Sequence, residues 1–343
     1  MAMHFFVGAI SAGGFASLYP QLHREENRRL YVIKGGPGCG KATCIRALCA
    51  RWGEVEEHIH CCSDPDSLDG AVMADRLIVD GTEPHVQEPR FPGCDGEYIA
   101  LPPLLDREGL RNKREALYAL SAASKAYYAG AYRQLAAAKA VRQERRQAAQ
   151  ALLTGEGPEK RAAGLLAREV PKQAGAGSLH LRFLEGVTPK GYLCLHQTVS
   201  EGFSRIIALQ DSYGLAQGLL EKLRDGALAR GQQVYACVDP LEPDRLRHVL
   251  LPQCGVAFVT AEGRLPYGVS RTLHLDGMLP AKALRPLRGR LRMLKKLETS
   301  LVEDAAAQVA AAHAFHDKIE ELYRPHVDFA ALERLCTDTA CLG

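Results

Sequence analysis

The segment from residue 35 to residue 41, Gly-Gly-Pro-Gly-Cys-Gly-Lys, has the residue types and spacing of a phosphate-binding loop. In such a loop the glycines let successive main-chain N–H groups point at the phosphate oxygens, and the lysine reaches the outer phosphates. The expected phosphate-contacting residues are those of the segment and the two that follow: Gly35, Gly36, Pro37, Gly38, Cys39, Gly40, Lys41, Ala42 and Thr43. The pattern predicts binding of a nucleoside triphosphate such as ATP, with Lys41 as the central side chain.

The residue after the lysine departs from the usual pattern. A Ser or Thr hydroxyl normally binds Mg²⁺ at this position, but Ala42 has no side-chain oxygen. Thr43 comes one residue later, about 100° further around the helix that should begin here. We therefore expect good phosphate binding and a weakened Mg²⁺ site, in which Thr43 or water replaces the missing hydroxyl.

A second candidate for the metal is Asp80, which directly follows the apolar run Leu77-Ile78-Val79. A carboxylate at the end of a buried strand beside a phosphate loop can hold Mg²⁺ through water. The alternative is a turn in which the Asp80 side chain bonds the main chain of residues 81 and 82. We expect Asp80 to serve as a catalytic and metal-binding residue.

Three further residues are weaker catalytic candidates. Asp64 and Asp66 could activate a nucleophile or contact the metal, although the alternative is turn formation and capping of a helix near Ser67. His85 follows Asp80 closely and could contact the substrate or the terminal phosphate.

A group of potential zinc ligands, His58, His60, Cys61 and Cys62, lies on one predicted strand. His58, His60 and Cys62 would share one face of it, which converges too little for a tetrahedral site unless His85 or Cys94 joined them. We do not expect zinc.

The chain contains two related halves, offset by roughly 176 residues. Residues 6–18 resemble residues 183–195, residues 29–33 resemble 205–209, and residues 77–80 resemble 257–260. We also align residues 62–65 with residues 237–240. A period of this length indicates duplicated domains and not a solenoid.

The second copy of the loop, residues 211–217, reads Asp-Ser-Tyr-Gly-Leu-Ala-Gln. Gln217 replaces the lysine, and Asp211 brings a negative charge to the place where phosphate oxygens would bind. We therefore expect the second half to be a degenerate copy that does not bind a triphosphate in the usual way.

The apolar patterns predict an α/β fold with two tandem domains of the P-loop NTPase type. Each domain should contain a parallel sheet with ligands at the carboxyl ends of its strands, followed by a long helical hairpin. We place the first domain at residues 1–154 with its hairpin at about 107–153, and a linker at 155–178. The degenerate domain covers residues 179–343, with a helical region at about 281–323.

The composition is that of a soluble globular protein, with 47% hydrophobic residues and a net charge of +3. The 11 scattered cysteines favour free thiols in a reducing, cytoplasmic compartment. The apolar N-terminus lacks the basic residues of a signal peptide and recurs inside the chain, so we expect no cleaved signal and no membrane partner. The helical regions are rich in Arg and Lys, which leaves nucleic acid open as a partner beside a solvated helix face.

The runs VIKGGPGCGK, HCCSDPDSLDG and LIVDGTEPH, followed by the weaker second copy, resemble a little-characterised bacterial family of duplicated P-loop proteins. Its members are loosely described as ATPases or nucleotide kinases, and the resemblance spans nearly the whole chain. It implies ATP binding, with a Ser after the loop lysine in typical members, so Ala42 departs from the family. The resemblance also implies that both halves can keep a phosphate loop in relatives, so residues 211–217 are a further loss.

Two functional hypotheses follow. The first is an ATP-binding protein with weak ATPase or phosphoryl-transferase activity that uses Mg²⁺. The alternative is a nucleotide-gated module without catalysis, whose helices bind a protein or nucleic-acid partner.

Overall fold

A computed structural model describes residues 2–22, 28–84, 86–153 and 157–341. Residues 2–153 form a first half built on a six-stranded sheet with a hairpin, β2 and β3, beside it. In chain order its elements are β1 (Met3–Phe6), β2 (Gly8–Ser11), β3 (Gly14–Ser17), α1 (Tyr19–Leu22), β4 (Arg29–Lys34), α2 (Lys41–Trp52), β5 (Glu57–His60), β6 (Leu68–Val72), β7 (Arg76–Asp80), β8 (Gly96–Ala100), α3 (Arg107–Arg111) and α4 (Arg114–Gln150).

Residues 157–341 form a second half with the same kind of sheet and hairpin. Its elements are α5 (Ala162–Glu169), β9 (Ser178–Arg182), β10 (Glu185–Thr188), β11 (Gly191–Cys194), α6 (His196–Gly202), β12 (Arg205–Gln210), α7 (Gln217–Leu228), β13 (Gln233–Val238), β14 (Leu246–Leu251), β15 (Val256–Ala261), β16 (Arg271–His274), α8 (Ala281–Leu284), α9 (Arg288–Tyr323) and α10 (Phe329–Cys341).

The two halves have the same topology. The strand order is β1-β5-β6-β7-β4-β8 in the first sheet and β9-β13-β14-β15-β12-β16 in the second. Even the hairpin turns match: the Ser11 hydroxyl donates to the carbonyl of Gly14 at 2.7 Å, and the Thr188 hydroxyl donates to that of Gly191 at 2.9 Å. The repeat seen in the sequence is therefore a repeat of structure.

The prediction of parallel sheets is only partly right, because both sheets are mixed. β4 runs parallel to β7 and β8, but β6 is antiparallel to both β5 and β7. The helix predicted near Ser67 is wrong, because β6 begins at Leu68. The connection from β5 is too short for the crossover that a parallel pairing needs, so the chain turns back directly.

The structural register also corrects one part of the predicted repeat alignment. The N–H of Cys61 donates to the carbonyl of Ser67, and the N–H of Asp239 donates to that of Arg245. Asp239 is therefore the counterpart of Cys61, and the alignment of residues 62–65 with residues 237–240 is three residues out of register.

The prediction of a helical hairpin in each half is wrong, because each half contributes one long helix. α4 and α9 pack against each other in antiparallel orientation, so that Ser124 contacts Ala312 and Arg142 contacts Glu298. Each helix buries a stripe of apolar residues: Ala131, Leu135 and Ala138 on α4, and Ala305, Val309 and Ala312 on α9. The hairpin is formed between the halves.

The predicted linker contains α5, which packs on α7 of the second half. Its Leu165 and Leu166 are buried, and Gly226 permits the contact, since a Cβ there would lie 2.2 Å from Leu166 Cδ1. Residues 157–177 therefore line the second half, while residues 154–156 lie outside the described chain.

Candidate functional site

The first loop, residues 35–41, connects β4 to α2 at the carboxyl end of the sheet. Gly38 and Gly40 have φ values of +66° and +89°, in the left-handed region that other residues rarely adopt. α2 begins at Lys41 and buries one apolar face, made of Cys44, Ile45, Leu48 and Cys49. The sequence thus folds into a strand, a glycine loop and a helix N-terminus in the predicted order.

The main-chain N–H groups of the first loop distinguish it from its counterpart. In the described part of the chain, no main-chain carbonyl accepts a hydrogen bond from the N–H of Cys39, Gly40 or Lys41. Such groups are normally paired in a folded protein, and a run of unpaired N–H groups is the feature by which anion-binding nests hold their ligands.

The second loop, residues 211–217, satisfies internally the N–H groups that correspond to those of Cys39 and Gly40. The Asp211 carboxylate accepts hydrogen bonds from the N–H groups of Tyr213, Leu215 and Ala216 at 3.2, 2.8 and 2.8 Å. Leu215 and Ala216 correspond to Cys39 and Gly40, while Asp211 corresponds to Gly35, which has no side chain. A carboxylate of the protein therefore fills the nest of the second loop.

The structure brings two of the predicted catalytic residues together. Lys41 Nζ donates to the carbonyl of Gly36 at 2.9 Å and lies 3.6 Å from Asp80 Oδ2. The contact arises because β7, which ends at Asp80, lies directly beside β4, which leads into the loop. An ammonium group and a carboxylate thus meet at the mouth of the first loop.

Asp80 also forms the turn that was its alternative interpretation. Its Oδ1 accepts hydrogen bonds from the Thr82 N–H at 2.9 Å and from the Thr82 hydroxyl at 2.6 Å. Sequence analysis did not select Thr82, although the Asp-Gly-Thr spacing was a visible signal. The Thr82 hydroxyl is therefore the one that the structure places on Asp80, whereas Thr43 is exposed on the first turn of α2.

The residues present fit a water-bridged Mg²⁺ better than a metal cage. No group of three or more His, Cys, Asp or Glu side chains in the described residues is arranged to hold a metal ion. Mg²⁺ usually keeps several waters and takes one or two protein carboxylates together with substrate phosphates. Asp80 can supply one such carboxylate, while Ala42 supplies no oxygen.

The weaker catalytic candidates do not join this group. Asp64 accepts the N–H of Asp66 at 3.3 Å, and the exposed Asp66 pairs with Lys190 of the other half, which lowers the Asp66 pKa. Within the described chain no bond links either carboxylate to Lys41 or Asp80. His85 lies outside the described residues.

The cysteine and histidine residues considered as reactive or metal-binding groups make contacts with the protein itself. The Cys39 thiol donates to the carbonyl of Gly36 at 2.8 Å, and burial raises the pKa of this thiol. Cys62 is buried in the core and lies beyond the end of β5, which carries His58 and His60. Both histidine rings pack at a tilt against the ring of His4, whose Nδ1 lies 2.9 Å from His60 Nε2.

The basic residues at the end of α4 contact the second loop. Arg142 bonds Asp239 and Glu298, Arg145 bonds the carbonyl of Ser212, and Arg146 makes two bonds to Glu242. These arginines contributed to the basic character of the helical region, but their charges are neutralised inside the protein. They are therefore not part of an exposed nucleic-acid-binding face.

Residues from the C-terminal region cover the first loop. A Cβ added at Gly36 would lie 2.7 Å from the Tyr323 ring, one at Gly38 would lie 3.0 Å from Glu320 Cα, and one at Gly40 would lie 2.4 Å from Leu332 Cδ2. Sequence analysis missed these contacts because no local pattern links residues that are so distant in the chain.

The chain matches no family model, no curated protein and no solved structure. The resemblance to duplicated P-loop proteins therefore stays a prediction that depends on the motifs alone. None of the described helices has both the length and the apolar character of a membrane span.

Proposed function

We propose that the first half binds a nucleoside triphosphate, with ATP as the reference ligand, at the first loop. The observation that carries the proposal is the contrast between the two loops. Asp211 bonds the N–H groups of the second loop, whereas the corresponding N–H groups of Cys39 and Gly40 have no main-chain acceptor in the described chain. Polyphosphate oxygens are suitable acceptors for such groups.

Lys41 and Asp80 have complementary roles in this proposal. Lys41 exchanges its contact with the Gly36 carbonyl for contacts with the outer phosphates. Asp80, oriented by Thr82, would hold a hydrated Mg²⁺, which neutralises charge on the phosphates when bound. Slow hydrolysis or phosphoryl transfer is the activity open to such a site.

Equilibrium binding of ATP by the Lys41→Ala variant tests the proposal. We expect its affinity to fall by about tenfold or more, because charge-assisted contacts to phosphate are lost. Gln217→Ala, the corresponding change in the second half, is the matched control and should leave the affinity unchanged. Equal affinity of the wild type and the Lys41→Ala variant would refute the proposal.

The second candidate is a nucleotide-gated module without turnover, and Ala42 favours it because a normal metal ligand is absent. The two functions differ in phosphate release: a module shifts its melting temperature with ATP but releases no phosphate. If a missing hydroxyl limits turnover, Ala42→Ser should raise Mg²⁺-dependent phosphate release. An unchanged rate would count against this explanation.

A further inference from the structure

The end of α9 lies directly on the first loop. Glu320 approaches Gly38 so closely that a Cβ on Gly38 would lie 3.0 Å from both Cα and Cβ of Glu320. Tyr323, one turn later, lies against Gly36 in the same way. The loop therefore packs against a helix at the face where its glycines expose the main chain.

The Glu320 carboxylate interacts with the loop as an anion would. His316 and, to a smaller extent, the main chain of Gly38 hold the pKa of the Glu320 carboxyl below its usual range. His316 Nε2 lies 3.5 Å from Glu320 Oε1, one turn back on α9. A protein carboxylate thus belongs to the residue that packs on the main chain of the loop, where a phosphate would bind.

The second half has the opposite charge in the equivalent place. Arg146, at the end of α4, lies over Gly214, and a Cβ on Gly214 would be 3.1 Å from Arg146 Cδ. In both halves the loop is therefore covered by the last turns of the long helix from the other half. The long-helix residue that covers the loop is thus an acid, Glu320, in the first half and a base, Arg146, in the second.

α10 follows the end of α9 and helps that end to cover the first loop. Leu332 and Cys336 of α10 are buried in a cluster with Cys44, Ile45 and Leu48 of α2, and Leu332 contacts Gly40. Only the 3₁₀ turn Arg324–His326 and two more residues separate α9 from α10. A displacement of the end of α9 would therefore disturb the packing of α10.

We infer that Glu320 is an internal occupant of the phosphate site, which a triphosphate must displace together with the last turn of α9. This inference rests on the proposed function, since it assigns regulation to the same loop. Nucleotide binding is then coupled to movement of the end of α9 and of α10, and the cover lowers the apparent affinity for nucleotide.

Binding of ATP and of inorganic tripolyphosphate to the Glu320→Ala variant provides the first test. We expect both ligands to bind about tenfold more tightly than to the wild type, because a competing carboxylate is removed from the loop. Glu321→Ala is the matched control, since it removes the same charge from the exposed neighbouring residue and should change affinity little.

Hydrogen–deuterium exchange of the wild type provides a second readout. Saturating ATP should increase exchange in residues 316–341, because the last turn of α9 and the packing of α10 are released. Unchanged affinity in Glu320→Ala, or unchanged or decreased exchange in this segment with ATP bound, would overturn the inference.

The two proposals fail in different ways. If Lys41→Ala weakens ATP binding while Glu320→Ala has no effect, the nucleotide site stands and the displacement mechanism is wrong. If the wild type and Lys41→Ala bind ATP equally, the nucleotide site itself is wrong, and the inference falls with it.

Discussion

At the level of single residues, the two loops differ most clearly at one position, which is Gly35 in the first loop and Asp211 in the second. A Cβ at Gly35 would lie 2.5 Å from the Cys39 sulfur, so the first loop has no room for a side chain there. At the corresponding position of the second half, Asp211 packs its carboxylate into the loop and bonds Leu215 and Ala216. In the second loop the Asp211 carboxylate thus accepts the hydrogen bonds that phosphate oxygens would accept in a phosphate-binding loop.

We predict that Asp211→Ala destabilises the protein, because buried N–H groups lose their acceptor. The loss should be about 2–4 kcal/mol in the free energy of unfolding, since each unsatisfied buried group costs about 1–3 kcal/mol. Urea denaturation measures this change. Asp225→Ala, which removes an exposed carboxylate paired with Arg224, is the control and should cost under about 1 kcal/mol. Equal losses in the two variants would contradict the role given to Asp211.

Residues of the site differ in how far the sequence could predict them. Lys41 lies within a contiguous motif, and Asp80 follows a strand that pairs with the loop strand, so local patterns were sufficient for both. Glu320 could not be predicted, because its contact with Gly38 depends on how two long helices cross between the halves. Thr82 was of intermediate predictability, because the Asp-Gly-Thr spacing of its short turn can be recognised in the sequence.

Pairing of α4 with α9 is the main feature at the level of elements. Their helical character follows from sequence, but each amphipathic pattern fits a hairpin within one half as well as a pair between halves. The pairing is fixed by tertiary contacts such as Glu298, which is 1% exposed and bonds Arg142 and Arg145.

We predict that Glu298→Ala is strongly destabilising, because it leaves the buried charges of Arg142 and Arg145 with one partner fewer. Breaking a buried pair in this way costs about 3–5 kcal/mol. Glu144→Ala breaks the exposed pair with Arg290 on the same two helices and should cost under about 1 kcal/mol. Thermal and urea unfolding compare the two variants; similar losses would show that Glu298 does not hold the helices together.

At the level of elements, strand direction was the second feature that the sequence did not predict. The apolar patterns correctly predicted β4, β5 and β7, but β6 contains Asp69 and Gly70 and was assigned to the start of a helix. Whether a short strand is parallel or antiparallel depends on the length of its connections, which a pattern of apolar residues does not report.

At the level of the whole molecule, the two halves share one interior. Arg182 of the second half makes two hydrogen bonds to Glu57 of the first, at 2.6 and 2.9 Å, and Tyr235 donates to Glu57 at 2.9 Å. Phe6 and Phe183 exchange main-chain hydrogen bonds across the same seam. The duplicated units are therefore not independent domains joined by a flexible linker.

We predict that residues 1–153 and residues 157–343, produced separately, do not fold cooperatively. Each fragment would expose the apolar stripe of its long helix, and separation would leave the Glu57 and Arg182 charges unpaired. Circular dichroism melts of each fragment and of their mixture measure this. A fragment that unfolded cooperatively at the temperature of the full chain would contradict the prediction.

The central claim is that only the first loop binds polyphosphate. A crystal structure of the full chain with a non-hydrolysable ATP analogue and Mg²⁺ tests it most directly. We predict phosphate oxygens within hydrogen-bond distance of the N–H groups of Cys39, Gly40 and Lys41, with Asp211 still bonded to the second loop. Nucleotide bound at the second loop and none at the first would contradict the claim.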